Sequence, residues 1–285
     1  VSSHALVLNR IDNIDYEAAV FTNLTQDHLD FHKTLENYKN AKEKLFYKTK
    51  SINIFNIDDK VGEEFFNKSL NRDIKTYTYG VEKEADFKAA NIKLYDDRTE
   101  YDLIIDKQKY KVSTPILGNF NVYNTLAAIT TCILLGLSRE DVIKRVQNLK
   151  SVSGRLDKVE NDKNVNIIVD YAHTPDALLN ILKSARLFTK NRIILVFGCG
   201  GNRDKAKRPI MGKIAQQNAD ISIITSDNPR FEKEMDIIED ILCGIDKTLD
   251  NYFVVQDRED SIKKAIELYE VGDLIIIDGK GHENY

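Results

Sequence analysis

The sequence predicts an α/β protein whose second half folds into a doubly wound, mostly parallel sheet. Two observations support this prediction. The first is a series of short β-rich runs, at 166–169, 192–197, 221–225, 252–255 and 274–277. The second is that helical stretches separate these runs, at roughly 176–189, 207–218, 234–249 and 260–270. Strands and helices that alternate in this way are typical of βαβ units, whose strands lie parallel in one sheet.

The first half combines strands and helices in a less regular order. An apolar, strand-like run at 18–24 precedes runs that alternate as strands do, at 51–57, 74–79, 101–106 and 109–113. The apolar spacing within 35–48 predicts a helix, for which Thr34 is the expected N-cap. A further amphipathic helix is predicted over 121–135 and is closed by Gly136.

We expect two domains, a partial one at 1–152 and a second at 153–285. The length of 285 residues is comfortable for two domains, and a hydrophobic fraction of 42% allows each half to bury a core of its own. The short stretch 151–154, Ser-Val-Ser-Gly, is the best candidate for the linker between them.

Composition limits the class of protein and its compartment. The formal net charge of −4 disfavours a general nucleic-acid binder, because such domains are usually basic. Three cysteines, Cys132, Cys199 and Cys243, are too few and too scattered for a disulfide framework or a zinc site, which favours a reducing, cytoplasmic location. No apolar run is long enough to predict a membrane-spanning helix, and no signal peptide is expected. Because the chain begins at Val1 and reads like the interior of a domain, we also expect a preceding part.

Polar and glycine-rich residues follow every predicted strand of the second half. The strings are DYAH at 170–173, GCGGNR at 198–203, DNPR at 227–230, DR at 257–258 and GKGHE at 279–283. In open α/β sheets, ligands bind beyond the carboxyl ends of the strands, so these residues are expected to form a ligand site. Short loops alone would explain Gly and Asp there, but less readily the cations Arg203 and Arg230 together with His173.

The glycine-rich turn that follows Phe197 leaves several interpretations open. Its backbone N–H groups suit an anion, although a tight turn without a ligand explains the glycines as well. The dinucleotide fingerprint GxGxxG would require glycine at position 203, where Arg203 stands, so an NAD site is disfavoured. Four cations within 203–208 favour a carboxylate or phosphate partner, but a run of charges is more often a solvated face.

Strings along nearly the whole chain together resemble the Mur ligase family. TNLTQDHLD at 22–30, followed by Ala41-Lys42, and GNFNVYN at 118–124 resemble the central domain of these enzymes. VDYAHTPD at 169–176, GCGGNRD, DNPR and GKGHE resemble in particular the member that adds the third residue of the cell-wall peptide. The resemblance implies part of a central ATPase-type α/β domain, followed by a Rossmann-like C-terminal domain that binds an amino acid.

The resemblance implies an ATP-dependent amide ligase that acts on UDP-MurNAc-L-Ala-D-Glu and a diaminopimelate-type amino acid. In this family the D-Glu carboxylate takes the γ-phosphoryl group of ATP, and the amine of the amino acid attacks the resulting acyl phosphate. Such chemistry requires neutralised phosphate charge, a nucleophile held close and exclusion of water. A monomer with no nucleic-acid partner and no membrane insertion is expected.

The resemblance also implies a magnesium site that involves two residues. Lys42 matches the lysine that the family carries as a CO2-derived carbamate, and His28 matches a histidine beside the Mg²⁺ ion. Carbon dioxide adds only to a neutral amine, so such a site must lower the pKa of the lysine. Oxygen ligands suit this hard cation, and one imidazole is tolerable. Without the resemblance, nothing distinguishes Lys42 from the other lysines of its predicted helix.

Further residues match positions that hold the nucleotide and the UDP-linked substrate. By resemblance, Asn124, Arg155 and Asp170 contact ATP. In the same way, Ser2 and Arg10 match positions that hold UDP-MurNAc-L-Ala-D-Glu. The family has a glutamine two residues before Arg10, where this sequence has leucine, and this departure leaves the details of that contact open.

The pocket for the incoming amino acid is expected at the ends of three predicted strands. The matching residues are Arg203, Asp227, Asn228, Pro229, Arg230, Gly279 and Glu283. Arg230 is the discriminating residue, because a guanidinium grips a carboxylate through two hydrogen bonds and the distal end of diaminopimelate carries such a carboxylate. Lysine lacks that group and would leave Arg230 poorly paired. Meso-lanthionine has the same ends as diaminopimelate and would satisfy the same contacts.

One departure and three alternatives accompany this interpretation. The phosphate loop GxxxxGK[ST] occurs nowhere in the sequence, so we expect this chain not to catalyse ligation alone. A folylpolyglutamate synthase-like ligase uses the same acyl-phosphate chemistry, but its pterin-bearing substrate would need a different pocket. A non-catalytic binding fragment would be consistent with the missing loop. A nicotinamide-dependent dehydrogenase is disfavoured by Arg203.

Overall fold

The chain divides into two compact units. The computed structural model describes residues 1–95, 97–150, 152–189 and 191–281. The units are Val1–Lys150 and Ser151–Tyr285, and each has its own six-stranded sheet. The predicted domain boundary after residue 152 stays a prediction. None of the helices in the described part of the chain has the length and apolar character needed to cross a lipid bilayer.

The first unit is a mixed sheet with helices packed against it. The helices are α1 (Ser3–Val7), α2 (Leu29–His32), α3 (Leu35–Tyr47), α4 (Lys60–Ser69), α5 (Asn119–Leu134) and α6 (Arg139–Val146). The strands are β1 (Tyr16–Phe21), β2 (Thr49–Asn56), β3 (Lys75–Gly80), β4 (Phe87–Leu94), β5 (Thr99–Ile105) and β6 (Gln108–Thr114). They lie in the order β1-β2-β3-β4-β5-β6, parallel from β1 to β4 and antiparallel from β4 to β6. A hydrophobic core joins α5 and α6 to this sheet.

Local sequence signals determine several of these boundaries. Thr34 begins α3 as predicted, since its Oγ1 accepts a hydrogen bond from Asn37 N at 3.1 Å. Gly136 follows α5 with a φ of 97°, a conformation that glycine adopts without steric cost. The sequence does not predict β4, because an irregularity between Ala90 and Lys93 breaks the alternation of its side chains.

The second unit is a mostly parallel sheet. Its strands are β7 (Asp157–Lys158), β8 (Ile167–Val169), β9 (Ile193–Phe197), β10 (Ile221–Ile224), β11 (Tyr252–Val254) and β12 (Leu274–Ile277). Its helices are α7 (Pro175–Phe188), α8 (Lys207–Asn218), α9 (Glu234–Leu242) and α10 (Arg258–Leu268). The strands lie in the order β11-β10-β9-β12-β8-β7, and only β7 is antiparallel to its neighbour among these described strands. The predicted fold class is confirmed.

The helix predicted at 234–249 is too long. α9 ends at Leu242, and the chain turns at Gly244, where a Cβ atom would lie 1.8 Å from the carbonyl oxygen of Pro209. The Gln216 side chain fixes this turn, since it donates to Asp246 O at 2.9 Å and accepts from Asp246 N at 2.8 Å. The apolar spacing of the sequence continues past Leu242, so periodicity alone does not reveal where the helix ends.

Candidate functional site

Four loops meet at the edge where the parallel strands of the second sheet end. They follow Val169, Phe197, Ile224 and Ile277, the last residues of β8, β9, β10 and β12. Main-chain hydrogen bonds continue the strand pairing into these loops, from Asp170 N to Ile277 O at 3.0 Å and from Asp278 N to Val196 O at 2.8 Å. The polar strings that the sequence selects after these strands therefore lie beside one another, as expected for parallel strands.

Two of these loops, 198–204 and 227–232, interlock, and we call them the paired loops. Gly201 N donates to Asn228 O at 2.8 Å, and Arg230 Nη1 donates to Gly201 O at 2.8 Å. Gly201 has no room for a side chain, since a Cβ atom would lie 1.9 Å from the carbonyl oxygen of Pro229. The paired loops therefore form one surface, on which the main chains fit directly against each other.

Arg230 lies on this surface with an exposed side chain and a φ of 53°. Within the described residues its guanidinium makes two hydrogen bonds, both from Nη1, at 2.8 Å to Gly201 O and 3.4 Å to Asn228 O. Nε and Nη2 thus remain available on one edge of the planar group, which is the edge that binds a carboxylate through two parallel bonds. Arg203, on the other paired loop, is exposed as well.

Arg258 joins the loop after β10 to the loop after β12. Its Nη1 donates to Ser226 O at 3.3 Å and its Nη2 donates to Asp278 O at 2.7 Å. Burial lowers the pKa of Arg258, an effect that Asp227 and Asp278 oppose. The two loops also meet at Gly279, where a Cβ atom would lie 3.7 Å from Asp227 Oδ2. Arg258 therefore fixes the main chain beside two residues of the predicted amino-acid pocket.

Two buried carboxyl groups lie at the same edge. Asp170 is 6% exposed and accepts hydrogen bonds from Leu156 N at 2.7 Å and Ala172 N at 2.8 Å. Burial raises the pKa of Asp170, against the effect of these N–H groups and of Arg155. Burial and the neighbouring Asp170 raise the pKa of Asp278, which is fully buried, well above its ordinary value. The pair therefore resists carrying two negative charges at once.

Arg155 lies close to Asp170, and the two represent the predicted nucleotide contacts in the second unit. The Arg155 guanidinium stacks on the Tyr171 ring, 4.4 Å from its centroid. Gly281 packs closely against the same tyrosine, since a Cβ atom there would lie 2.7 Å from Tyr171 Cβ. Asn124, the third predicted nucleotide contact, is exposed on α5 in the first unit.

Lys42 lies on a half-buried position of α3, with Nζ 5.1 Å from the centroid of the Tyr38 ring. Burial lowers the pKa of Lys42, although Asp27 and Asp59 act in the opposite direction. A lowered pKa increases the fraction of neutral amine at a given pH, and the neutral amine is the nucleophilic form. The structure therefore distinguishes Lys42 from an ordinary exposed lysine.

His28 contacts the same tyrosine that lies beneath Lys42. Its ring meets the Tyr38 ring edge-on, with 5.9 Å between centroids. His28 Nε2 lies 3.4 Å from Asp27 Oδ2. No group of three or more His, Cys, Asp or Glu side chains that could hold a metal ion occurs in the part of the chain that the structure describes. His28 and Lys42 are thus brought together around Tyr38, without a complete set of protein ligands.

The predicted contacts of the UDP-linked substrate flank α1, whose His4 ring lies 4.9 Å from the His28 ring. Ser2 and Arg10 are exposed on either side of α1, and Ser2 Oγ caps this helix by accepting a hydrogen bond from Ala5 N at 3.2 Å. Glu283, predicted to bind the amino acid, lies outside the described residues, as does His282.

Sequence reasoning missed the role of two cations that the structure buries. Lys207 and Arg208 end the charge run after the glycine-rich turn, yet they are 4% and 0% exposed. A solvated face is therefore the wrong interpretation for these two residues. Lys207 Nζ donates to His173 O at 2.7 Å. The spacing of Arg208 from the apolar Met211 and Ala215 places all three on the buried face of α8, a signal that was present in the sequence.

The fold and this edge define an α/β protein whose second sheet carries clustered charged side chains at the ends of its parallel strands. The chain belongs to the Mur ligase family. The family model described as Mur ligase middle domain matches residues 1–132. The model described as Mur ligase, glutamate ligase domain matches residues 154–281.

Curated relatives match the chain along its whole length. The chain is 51% identical over 285 residues to UDP-N-acetylmuramoyl-L-alanyl-D-glutamate--2,6-diaminopimelate ligase of Clostridioides difficile (strain 630), covering 100% of the chain and 59% of that protein. It is 48% identical to the ligase of the same name of Clostridium botulinum (strain ATCC 19397 / Type A), covering 100% of the chain and 58% of that protein. The chain thus spans about three fifths of the length of these relatives.

Solved structures show the same fold. A solved structure of UDP-N-acetylmuramoyl-L-alanyl-D-glutamate--2,6-diaminopimelate ligase is similar, with a TM-score of 0.65 and 36% identity over 100% of this chain and 59% of that chain. A pseudomurein peptide ligase type C from Methanothermus fervidus has a TM-score of 0.79 at 21% identity, over 99% of this chain and 64% of that chain. At that identity the second likeness concerns the fold alone.

Proposed function

We propose that the protein carrying this chain is an ATP-dependent amide ligase of peptidoglycan precursor synthesis. The proposed reaction joins the D-Glu carboxylate of UDP-MurNAc-L-Ala-D-Glu to an amine of meso-diaminopimelate or meso-lanthionine, through an acyl phosphate. The names of the two clostridial relatives describe the ligation of 2,6-diaminopimelate to this UDP-linked dipeptide, which supports the proposal. Monomeric state and cytoplasmic location stay predictions.

The observation that supports the amino-acid substrate most directly is the geometry of Arg230. Its Nη1 is held by Gly201 O, while Nε and Nη2 make no hydrogen bond within the described residues. A guanidinium fixed in this way presents a preorganised fork to a carboxylate and loses little side-chain entropy on binding. The distal carboxylate of diaminopimelate is the proposed occupant.

Asp227 supplies the charge that complements the other end of the same substrate group. Asp227 is the first residue of the loop that carries Arg230, and its carboxylate lies against Gly279 of the loop that follows β12. The distal carbon of diaminopimelate bears an ammonium group beside its carboxylate, so one anion and one cation on a single loop match both charges. Lysine would pair with Asp227 but leave Arg230 without its carboxylate. Arg203, Asn228, Pro229 and Glu283 are proposed to complete this pocket.

The proposed nucleotide contacts are Asn124, Arg155 and Asp170. Arg155 is held against Tyr171 by stacking, so its cation has a defined position for phosphate or nucleotide binding. Asp170 is fixed by two backbone N–H groups and is suited to hydrogen bonding with a ribose or an amine. Ser2 and Arg10 are proposed to contact UDP-MurNAc-L-Ala-D-Glu.

The residues around Tyr38 fit a magnesium site that includes a carbamate on Lys42. The lowered pKa of Lys42 favours the neutral amine that carbon dioxide requires, and the product would be an anionic oxygen ligand. His28 would supply one nitrogen. The remaining ligands of Mg²⁺ would be phosphate oxygens and water, which this ion prefers to an all-protein shell. Bound there, Mg²⁺ would neutralise the charge of the transferring phosphoryl group.

Product mass measured with the full-length protein tests this function. The protein is incubated with ATP, magnesium and UDP-MurNAc-L-Ala-D-Glu, together with meso-diaminopimelate, meso-lanthionine or L-lysine in turn. Product with either of the first two and little with lysine is the expected result. Product with lysine alone would keep the ligase but overturn the role of Arg230.

Absence of product with every amino acid would reject the proposed function. A thermal shift with folate, and none with diaminopimelate, would then favour the folylpolyglutamate synthase-like alternative. Addition of this chain by itself to the same mixture is expected to give no product, because it has no phosphate-loop motif.

A further inference from the structure

Arg208 is a fully buried cation with three acceptor groups around it. Its guanidinium binds Glu232 through two bonds, from Nη1 to Oε2 at 2.9 Å and from Nη2 to Oε1 at 2.8 Å. Nη1 also donates to Asp240 Oδ2 at 2.8 Å, on α9. Nη2 lies 3.4 Å from Gly200 O, on the first paired loop. The charge of Arg208 is thus used inside the protein and does not face a ligand.

Glu232 connects this buried cation to both paired loops. It ends the second loop, two residues after Arg230. Its Oε1 also accepts a hydrogen bond from Asn202 N on the first loop. Lys205 adds a further ion pair, with Nζ 3.0 Å from Oε2. The Glu232 carboxylate therefore connects three segments through hydrogen bonds and ion pairs. These are the main chain of the first loop, the end of the second loop and the start of α8.

We propose that Arg208 and Glu232 are positioning residues that set the selectivity of the site for an amino acid with a distal carboxylate. They act through Arg230 and do not touch the substrate themselves. Arg230 donates to Gly201 O, one residue before Asn202, so a shift of the first loop relative to the second moves the acceptor that orients the guanidinium fork. This inference rests on the proposed function.

The test uses Glu232→Gln in the full-length protein. The amide keeps the size of the side chain but cannot present two anionic oxygens to Arg208. We expect the KM for meso-diaminopimelate to rise at least about tenfold, since small misplacements of a binding group are costly. The KM for ATP should change little, and the ratio of kcat/KM for diaminopimelate over L-lysine should fall. Arg208→Lys, which keeps the charge but loses the fork, should act in the same direction.

Asp273→Asn is the matched control. Asp273 is 1% exposed and binds Arg192 through Nε at 3.0 Å and Nη2 at 2.7 Å, so this variant also removes the charge of a buried carboxylate that pairs with an arginine in the same unit. Arg192 and Asp273 precede β9 and β12, at the opposite end of the strands from the paired loops. The control should lose thermal stability but keep its KM for diaminopimelate and its selectivity.

Amide hydrogen exchange supplies a readout that does not need activity. In Glu232→Gln, peptides covering the paired loops should exchange faster than in the wild type, whereas in Asp273→Asn they should not. A folded Glu232→Gln protein with unchanged KM and unchanged exchange would overturn the inference. If the wild type forms no product, the proposed function fails, and exchange in the paired loops alone decides whether the positioning device exists.

Discussion

Arg258 holds the main-chain carbonyl of Asp278 at 2.7 Å from its Nη2, at the base of the loop that carries Gly279. The same guanidinium donates to Ser226 O, so one side chain supports the ends of β10 and β12. The sequence places Arg258 in the polar string DR that follows a predicted strand, but it does not show which loops the side chain joins. The link makes the positions of these two loops depend on a residue outside both.

Replacement of Arg258 by methionine should destabilise the second unit. Two carbonyl acceptors would lose their donor, and an unsatisfied buried acceptor costs about 1–3 kcal/mol, so a loss of about 2 kcal/mol in the free energy of unfolding is expected. Urea unfolding followed by circular dichroism measures it. Lys263→Met on the exposed face of the same helix is the control and should change stability by less than about 0.5 kcal/mol. Equal losses in both variants would contradict the role of Arg258.

Gly201→Ala should lower the stability of the protein more than Gly136→Ala, in which only the left-handed backbone conformation opposes the alanine. A methyl group at 201 would lie 1.9 Å from Pro229 O, so the paired loops must separate, at a cost of about 3 kcal/mol. Gly136→Ala meets no atom within 4 Å and carries only the strain of its φ of 97°, about 1 kcal/mol. Thermal unfolding compares the two. A larger effect at Gly136 would show that the paired loops tolerate separation.

The architecture of the second unit could be predicted because β-rich and helical segments alternate regularly along its sequence. Alternating β-rich and helical segments require parallel strands, and parallel strands bring their carboxyl ends to one edge, so the loops at Asp170, Asn228 and Gly279 could be placed together before any contact was known. The interlock at Gly201 could not be predicted in the same way. It depends on the fit of two main chains, which the residue types along one strand do not encode.

The environment of a single side chain can be predicted from the sequence only where residues nearby in the chain determine it. Burial lowers the pKa of Lys42, against the opposing effect of Asp27 and Asp59, and because this burial arises from tertiary packing, only the family resemblance selected the residue. Arg208 had a local signal, because its helical spacing matches buried apolar residues, but its place in a charge run concealed it.

The stability of the second unit should depend on Glu232 in a pH-dependent manner. The Arg208 guanidinium and the Asn202 N–H hold the pKa of Glu232 well below its ordinary value, against an opposing effect of burial. Because the folded pKa is the lower one, this stabilisation is complete above the unfolded pKa of about 4.3 and is lost as the pH falls toward the folded value. The difference in unfolding free energy between the wild type and Glu232→Gln should therefore shrink between pH 7 and about pH 3.

Urea unfolding at a series of pH values measures this difference. Glu259→Gln, at an exposed carboxylate on α10, is the control and should change stability little at any pH. If the penalty of Glu232→Gln stays constant as the medium is acidified, the carboxylate does not derive its stabilisation from the charge of Arg208.

Lys42 should carry a carbamate where an exposed lysine of the same helix does not. Burial lowers the pKa of Lys42, so more of its amine is neutral at a given pH, and the adduct should increase as the pH rises from 6 toward about 8. Carbon-13 NMR with labelled bicarbonate detects the adduct in the full-length protein. The signal should vanish in Lys42→Arg and persist in Lys44→Arg, since Lys44 is exposed on α3. Persistence in both variants would assign the carbamate to another amine.

The contact between Gly201 and Pro229 has a consequence for how such a pocket can evolve. Residues on either paired loop can be exchanged freely only where the exchange leaves both main chains in place, because the space between them is less than a methyl group. A lineage can change the amino acid that the pocket binds by accumulating substitutions in one paired loop. Such a lineage passes through intermediate proteins in which the two loops no longer fit against each other. Transfer of the whole stretch from 198 to 232 in one event avoids those intermediates.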